Sequence, residues 1–210
     1  MRIIFLGAPG AGKGTQADKI SQKLGIPTIS TGVIIRDAIK NGTELGLKAK
    51  KFIEQGLLVD DDTVIEIIKL RLAESDCEHG FILDGFPRSV PQAEALRAMG
   101  VEIDCVVSIE IADEAIVDRM SGRRVCSSCG LSYHIVANPS KDGKTCDRCK
   151  TELSVRKDDA PEIVLARLAV YHETTEPLKE YYQKLGILRV VDGSGSVEQT
   201  FVRTVEAIGV

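Results

Sequence analysis

A glycine-rich segment near the start of the sequence has the composition of a phosphate-binding loop. Residues 7–15 are Gly-Ala-Pro-Gly-Ala-Gly-Lys-Gly-Thr, between the apolar run Ile3–Leu6 and a helix-period segment that ends at Leu24. Glycines let backbone N–H groups converge on phosphate oxygens, a helix N-terminus adds a positive dipole, and Lys13 can reach terminal phosphates. The alternative is a glycine-rich turn without a ligand, but the lysine, its spacing and the flanking elements favour a nucleotide loop.

The hydroxyl of this loop stands one residue later than in the general pattern, because Gly14 follows the lysine and Thr15 comes next. We expect Thr15 to hydrogen-bond a phosphate, which leaves a carboxylate elsewhere to serve Mg²⁺. Asp84 is the candidate, since it ends the apolar run Phe81–Leu83 and open α/β sheets bind ligands at the carboxyl ends of their strands. The alternative for Asp84 is a turn-forming role before Gly85.

Four of the six cysteines form two Cys-x-x-Cys pairs with sixteen residues between them. The candidate metal ligands are Cys126, Cys129, Cys146 and Cys149. Four thiolates complete a closed tetrahedral site, which predicts structural Zn²⁺ in a segment too small to form its own core. Fe or Co could occupy the same thiolates.

Two other interpretations of the cysteine segment stay open, namely two disulfides and a nucleic-acid-binding ribbon. A reducing compartment disfavours the disulfides. Basic residues favour the ribbon, and these are Lys141, Lys144, Arg148 and Lys150. Against it stand the acidity of the chain and the lack of an aromatic platform, since Tyr133 is alone between the knuckles.

The composition of the whole chain limits the classes of protein it can be. Its 210 residues, 43% of them apolar, with 19 glycines and 7 prolines, indicate one core with small insertions and exclude disorder and fibres. A net charge of −4 means that any anion site is local rather than a broad basic surface. No apolar run approaches the roughly 18 residues of a membrane span, and the first run is too short for a secretory signal. We therefore expect a cytoplasmic protein.

Short β-branched runs alternate with helix-period segments along most of the chain. Strands are predicted at Ile3–Leu6, Ile26–Ser30, Phe81–Leu83, Val106–Ile111 and Ile187–Val191. Helices are predicted over residues 15–24, 61–73, 89–99, 113–120 and 160–185. This alternation predicts an α/β fold with a doubly wound, parallel, five-stranded sheet.

Two stretches interrupt the alternation. Residues 30–59 are typical of short helices without a strand, and residues 122–159 are rich in Gly, Ser, Cys, Lys and Asp without a helical period. We interpret both as mobile insertions on a core formed by residues 1–29, 60–121 and 160–210. An Asp with Glu three residues later, at Asp159 and Glu162, predicts a capped helix start and a hinge where the second insertion meets the core.

Three further motifs accompany the phosphate loop, and together they resemble the adenylate kinases. They are Ile29-Ser30-Thr31-Gly32 with Arg36, Leu83-Asp84-Gly85-Phe86-Pro87-Arg88 with Gln92, and Gly122-Arg123-Arg124. The resemblance is to the bacterial form with a long lid and runs essentially from end to end. It implies a P-loop nucleoside monophosphate kinase fold in which residues 30–59 bind AMP, here called the AMP insertion, and residues 122–159 form a zinc-containing lid.

The resemblance also implies the reaction, which is reversible transfer of the terminal phosphoryl group from Mg-ATP to AMP to give two ADP. Because the acceptor is already a phosphate oxyanion, positioning and charge neutralisation replace proton abstraction. This chemistry favours arginines, whose guanidinium groups donate paired, planar hydrogen bonds to phosphate oxygens.

The family roles transfer to this sequence residue by residue. The implied catalytic groups are Lys13, Asp84, Arg88, Arg123, Arg156 and Arg167. The implied ATP-binding residues are Gly10, Ala11, Gly12, Lys13, Gly14, Thr15, Arg119, Arg123, Ser132, Tyr133 and Gly195. The implied AMP-binding residues are Thr31, Gly32, Arg36, Leu57, Leu58, Val59, Gly85, Phe86, Pro87, Arg88, Gln92, Arg156 and Arg167.

Several of these residues also have local structural explanations. Thr31 could cap the helix that follows, and Ser89-x-x-Gln92 is a capping-box pattern, whereas the family uses Gln92 at the adenine edge of AMP. Arg119 and Arg123 share a helix face if the helix begun near residue 113 continues that far.

Val33 departs from the family, which usually has Asp after Thr-Gly, and we expect weaker Mg²⁺ binding or slower turnover as a result. The alternatives for function are a UMP/CMP or GMP kinase and a regulatory nucleotide-binding module with a zinc ribbon. Gln92 and the long lid favour AMP. The expected partners are ATP, AMP and ADP, without nucleic acid or membrane, and the chain is expected to be a monomer.

Overall fold

The structure, a computed structural model, describes residues 1–55 and 57–210. Its strands are β1 (Arg2–Leu6), β2 (Thr28–Ser30), β3 (Phe81–Asp84), β4 (Cys105–Glu110), β5 (Arg123–Cys126), β6 (Ser132–His134), β7 (Leu153–Ser154) and β8 (Leu188–Asp192). Its α-helices are α1 (Lys13–Leu24), α2 (Thr31–Lys40), α3 (Glu44–Glu54), α4 (Asp61–Leu72), α5 (Val90–Ala98), α6 (Asp113–Ser121), α7 (Pro161–Val170), α8 (Pro177–Lys184) and α9 (Val197–Ile208).

The central sheet has the strand order β2-β3-β1-β4-β8, and all of its pairings are parallel. Successive side chains of β1 enter different apolar clusters, since Ile4 and Leu6 pack in one and Ile3 and Phe5 in the other. A strand points alternate side chains to opposite faces, so the sheet is covered on both sides. The predicted α/β fold with a five-stranded parallel sheet is confirmed.

The helices differ from the prediction in the C-terminal third of the chain. The single helix predicted over residues 160–185 is divided into α7 and α8 by a π-helical turn at Tyr171–Thr175. Pro177 begins α8, because proline has no N–H to donate to the preceding turn. Helix α9 was not predicted, although Ser196 and Gln199 form a complete capping box at its start.

The AMP insertion consists of α2 and α3 and joins the sheet directly, since Ser30 ends β2 and Thr31 begins α2. Its apolar face packs into the same cluster as one side of the sheet, through Ile35, Ala49 and Val59. The insertion therefore shares the main hydrophobic core.

The lid contains a three-stranded antiparallel sheet with the order β6-β5-β7, which the sequence analysis did not predict. Its strands are only two to four residues long, too short for an alternating apolar pattern. The buried residues of its own small cluster are Cys126, Tyr133 and Cys146. Within the two described ranges, no helix is long and apolar enough to cross a lipid bilayer.

Candidate active site and metal centre

The glycine-rich loop runs from the end of β1 to the start of α1. Gly7, Gly10 and Gly12 have φ angles of 135°, 85° and 101°, a region that other residues rarely adopt. A Cβ on Gly7 would lie 2.5 Å from the carbonyl oxygen of Ile109, so the loop also needs glycine for space. The loop thus leads directly into the N-terminus of α1, the arrangement that the sequence predicts for a phosphate site.

Lys13 is the first residue of α1, and its ammonium group lies over the loop. Nζ donates to the carbonyl oxygens of Gly7 at 2.7 Å and Ala8 at 2.9 Å. Burial lowers the pKa of Lys13 to about 8, and Asp84 opposes this by favouring the charged form. The arginines nearby lower it further. An anion bound here would relieve that repulsion.

Asp84 ends β3, and the register pairs it with Phe5 of the neighbouring β1. A Cβ built on Gly14 would lie 3.3 Å from Asp84 Oδ2, so a side chain after the lysine would crowd this carboxylate. A carboxylate beside a phosphate loop is the oxygen donor that Mg²⁺ uses, so these residues fit the ion.

The six predicted arginines lie on different elements but line one cavity of about 520 Å³. They are Arg36, Arg88, Arg119, Arg123, Arg156 and Arg167. Burial is the largest cause that lowers the pKa of Arg36, Arg88, Arg156 and Arg167, and neighbouring arginines add to it. The cavity is thus a buried excess of positive charge, complementary to the oxygens of a polyphosphate.

Asp158 and Asp159 hold two of these arginines, a role that the sequence analysis missed. Arg167 Nη1 donates to Asp158 Oδ2 at 2.9 Å, and Arg123 Nε donates to Asp159 Oδ2 at 2.8 Å. Burial alone would raise the pKa of Asp158, but the surrounding arginines, Arg167 first, lower it below its ordinary value. The only sequence signal was an acidic pair beside several arginines.

The predicted cap at Asp159 is wrong, because its carboxylate is bonded to Arg123. Ala160 is the N-cap of α7 and makes no side-chain cap. The conditional pairing of Arg119 with Arg123 on one helix face is also wrong, because α6 ends at Ser121. Arg119 Nη2 donates instead to the carbonyl oxygen of Gly193 at 2.8 Å, beside the predicted Gly195.

A second cavity of about 80 Å³ adjoins the first on the side of the AMP insertion. The predicted AMP residues along it are Thr31, Gly32, Arg36, Leu57, Leu58, Val59, Gly85, Arg88, Gln92 and Arg167. Pro87 and Arg156 line the larger cavity. Phe86 lines neither cavity, since its side chain is fully buried in the main core.

The two side chains with alternative capping roles behave differently. Thr31 does not cap α2, since Ser30 is the N-cap and the Thr31 hydroxyl donates to the Gly85 carbonyl oxygen at 2.8 Å. Ser89 does cap α5, accepting from the Gln92 backbone N–H at 3.3 Å. The reciprocal bond of a capping box is replaced, because Gln92 Oε1 accepts from the Arg88 N–H at 2.7 Å.

The four lid cysteines converge on one point. Their sulfur atoms lie within 4.8 Å of one another, with Cys126 to Cys149 at 3.3 Å and Cys129 to Cys146 at 3.4 Å. Four sulfurs at about 2.3 Å from a tetrahedral metal lie about 3.8 Å apart, so the cluster fits a metal ion. All four are free thiols, so the disulfide alternative is not supported.

Ser132 and Tyr133 also line the larger cavity, but the Tyr133 hydroxyl faces the cysteine cluster. It accepts from the Asp147 N–H at 2.9 Å and lies 3.5 Å from Cys146 Sγ. His134 lines the cavity and was missed. Had β6 been recognised, its alternation would have placed His134 on the same face as Ser132.

The glycine-rich loop lines the larger cavity, and Arg36, Arg88 and Arg167 line both this cavity and the smaller one beside it, as transfer of a phosphoryl group between two nucleotides requires. With the five-stranded parallel sheet, this arrangement defines the P-loop nucleoside monophosphate kinases. The family model described as adenylate kinase matches residues 5–187, and the chain belongs to the adenylate kinase family.

Curated relatives named adenylate kinase match this chain over essentially its full length. The protein of Acetivibrio thermocellus is 54% identical, covering 99% of this chain and 98% of the relative. The protein of Lachnoclostridium phytofermentans is 53% identical, covering 100% of this chain and 98% of the relative. The protein of Caldicellulosiruptor saccharolyticus is 52% identical over the whole of both chains. The chain is therefore an ATP:AMP phosphotransferase that acts on ATP, AMP and ADP, and its activity implies Mg-ATP.

Proposed function

We propose that donor and acceptor nucleotides bind in the two adjoining cavities and that the phosphoryl group crosses the layer of arginines between them. The observation that carries this proposal is that Lys13 and all six predicted arginines line one cavity, although they come from separate parts of the chain. Fixed cations there offset the charge on the transferring group without needing to reorganise.

On the donor side, the backbone N–H groups of residues 10–15 hold the phosphates of ATP, and Lys13 reaches the terminal ones. Mg²⁺, when bound through Asp84, neutralises phosphate charge. Arg123 contacts the triphosphate, with Asp159 fixing its orientation. The lid residues Ser132 and Tyr133, Arg119 and the backbone at Gly195 contribute the remaining ATP contacts.

On the acceptor side, Arg36 and Arg88 hold the AMP phosphate, and Arg156 and Arg167 bridge AMP and the moving phosphoryl group. Leu57, Leu58 and Val59 line the base site with Thr31, Gly32 and the segment from Gly85 to Arg88. Gln92 contacts the adenine edge. Support comes from the smaller cavity, along which Gln92, Leu57 and Leu58 lie together.

The lid and the AMP insertion close over the cavities as units separate from the core, with the boundaries predicted above. Exclusion of water then prevents wasteful hydrolysis of ATP. The proximity of the two supports this, because a Cβ built on Gly130 of the lid would lie 3.5 Å from Val33 Cγ2 of the AMP insertion. The lid metal is Zn²⁺, held by the four cysteines, and it ties the lid together without touching the reaction.

The protein acts as a cytoplasmic monomer in this proposal. A monomer would elute from a sizing column at a mass near 22.8 kDa. Elution at twice that mass would contradict the monomer.

The acceptor is tested by incubating the protein with Mg-ATP and each of AMP, UMP, CMP and GMP separately, then resolving the products by chromatography. We expect stoichiometric ADP with AMP and little product with the other acceptors. A preference for UMP or GMP would overturn the acceptor assignment.

The arginine roles are tested with Arg88→Lys, which keeps the charge but loses the paired donors. We expect kcat to fall about a hundredfold, as for other groups that stabilise a transition-state charge. Arg97→Lys is the control, because Arg97 is exposed on α5, which begins two residues after Arg88. Equal kcat in the two variants would contradict the role of Arg88.

A further inference from the structure

The side chain of Gln92 is held from two directions. Nε2 donates to Asp61 Oδ1 at 2.6 Å, and Oε1 accepts from the Arg88 backbone N–H at 2.7 Å. Asp61 also accepts from the Ser89 hydroxyl at 2.8 Å. Gln92 is only 1% exposed, yet it lines the smaller cavity, so its orientation matters for whatever binds there.

The chemistry of the two partners permits one orientation of the amide. A carboxylate accepts and a backbone N–H donates, so turning the amide of Gln92 by 180° would set donor against donor at Arg88 and acceptor against acceptor at Asp61. A buried polar group that loses its partner carries the full penalty of desolvation. The network therefore fixes which end of Gln92 faces which side of the cavity.

One amide hydrogen and one oxygen lone pair of Gln92 remain for a ligand. A 6-amino purine offers the matching pair on its edge, since its 6-amino group donates and its N1 accepts. A 6-oxo purine offers the reverse, because its O6 accepts and its N1–H donates. In the fixed orientation, a 6-oxo purine would leave buried polar groups unpaired, which sites of this kind reject strongly.

We propose that Asp61 is a positioning residue that sets the purine selectivity of the acceptor site by orienting the Gln92 amide. The inference rests on the proposed contact between Gln92 and the AMP base. Asp61 is the first residue of α4. The next residue, Asp62, carries the same charge in the same helical turn but is exposed. Asp62 therefore offers a matched control for charge near the helix N-terminus.

The test measures initial rates with AMP and with inosine monophosphate as acceptors. Asp61→Asn keeps the shape of the side chain at position 61. The new amide can donate a hydrogen bond to Gln92 as well as accept one. We expect KM for AMP to rise about tenfold, kcat at saturating AMP to stay within about twofold, and the AMP-over-IMP ratio of kcat/KM to fall about tenfold.

Two variants separate orientation from stability. Asp62→Asn should leave the AMP-over-IMP ratio unchanged, and Asp61→Glu, which still only accepts, should restore most of it. If Asp61→Asn lowers the melting temperature and kcat but keeps the ratio, Asp61 is merely structural and the proposal is overturned.

Gln92→Ala distinguishes this proposal from the one on which it rests. We expect Gln92→Ala to lose the preference for AMP, and the double variant with Asp61→Asn to show the same ratio as Gln92→Ala alone. If Gln92→Ala keeps the preference, the contact between Gln92 and the base fails. If it loses the preference while Asp61→Asn keeps it, the contact stands and the orienting role of Asp61 is wrong.

Discussion

The two insertions of this chain are stabilised in different ways. The AMP insertion packs Ile35 and Ala49 into the main core, together with the strands of the central sheet. The lid packs Cys126, Tyr133 and Cys146 into a cluster of their own, centred on the four thiols. One insertion depends on the core and the other on its cysteines.

This difference means that two small insertions of one protein can fail independently. Loss of metal would unfold the lid and spare the sheet, since so small a cluster buries too little apolar surface to fold alone. Loss of packing in the AMP insertion would weaken the main core itself. Four predictions test the comparison.

The largest effect is expected from metal removal. A strong chelator should raise amide hydrogen exchange across β5, β6 and β7 by a thousandfold or more and lower the melting temperature, while β1 and β3 stay protected. Structural zinc in small domains contributes about 10–16 kcal/mol, more than the lid can replace by packing. Hydrogen-exchange mass spectrometry measures this, with added Zn²⁺ as the control for reversal. Equal exchange and melting with and without metal would refute a structural metal.

The next effect concerns the AMP insertion. Ile35→Ala should lower the free energy of unfolding of the whole chain by about 2–5 kcal/mol and the melting temperature by about 5–15 °C, because Ile35 lies in the main core. Leu47→Ala is the control, since Leu47 is 61% exposed on α3. Calorimetry measures both. A melting temperature equal to that of the control would show that the AMP insertion is energetically separate from the sheet.

A smaller effect is expected where the two insertions meet. Val33→Asp should lower the Mg²⁺ concentration for half-maximal activity about fivefold, because a carboxylate near the cavity contributes about 1 kcal/mol through water. Val33→Asn, which is uncharged and the same size as the aspartate, controls for the loss of the valine side chain near Gly130. Magnesium titration of the initial rate measures this. An unchanged Mg²⁺ dependence in Val33→Asp would contradict the expectation that Val33 weakens Mg²⁺ binding.

The smallest effect is expected where α6, which precedes the lid, meets the turn after α7, which follows it. His172 bonds to Glu176 at 2.7 Å and to Asp113 at 2.9 Å, and these bonds raise its pKa above the ordinary value. The protonated form is therefore the stabilising one, with its contribution complete below about pH 6.5 and lost as the pH rises through the raised pKa.

His172→Gln should reduce the fall in melting temperature between pH 6 and 8 by about 1–2 °C, since exposed pairs contribute under about 1 kcal/mol. His79→Gln is the control, because His79 is exposed away from the lid. Identical pH profiles in the wild type and His172→Gln would show that these bonds do not stabilise the contact between α6 and the turn after α7.

The sequence predicted the parts of the fold that depend on local pattern. Five strands are visible because β-branched runs such as Val106–Ile109 stand between turn residues, and the cysteine spacing located the cluster of four thiols. Helix α9 could also have been predicted, since the capping-box residues at its start, Ser196 and Gln199, are visible in the sequence.

The parts that failed depend on partners distant in sequence. Asp159 has the spacing of a helix cap, but Arg123 lies 36 residues away and takes its carboxylate. Gln92 has the spacing of a capping box, but its Oε1 accepts from the Arg88 N–H and its Nε2 donates to Asp61, 31 residues away. A buried charged or amide side chain near a helix start pairs with the group that best offsets the cost of its burial. That group can be distant in sequence, so local spacing does not predict it.

The adjacency of β1 and β3 has a consequence for how such an enzyme can change. One strand leads into the glycine-rich loop and the other into Gly85 and Arg88, which we propose to serve donor and acceptor, and the two strands are hydrogen-bonded neighbours about 4.8 Å apart. The spacing between these two segments is thus set by paired backbone rather than by side chains. Substitutions around the acceptor base can alter the choice of nucleotide while that interval stays constant.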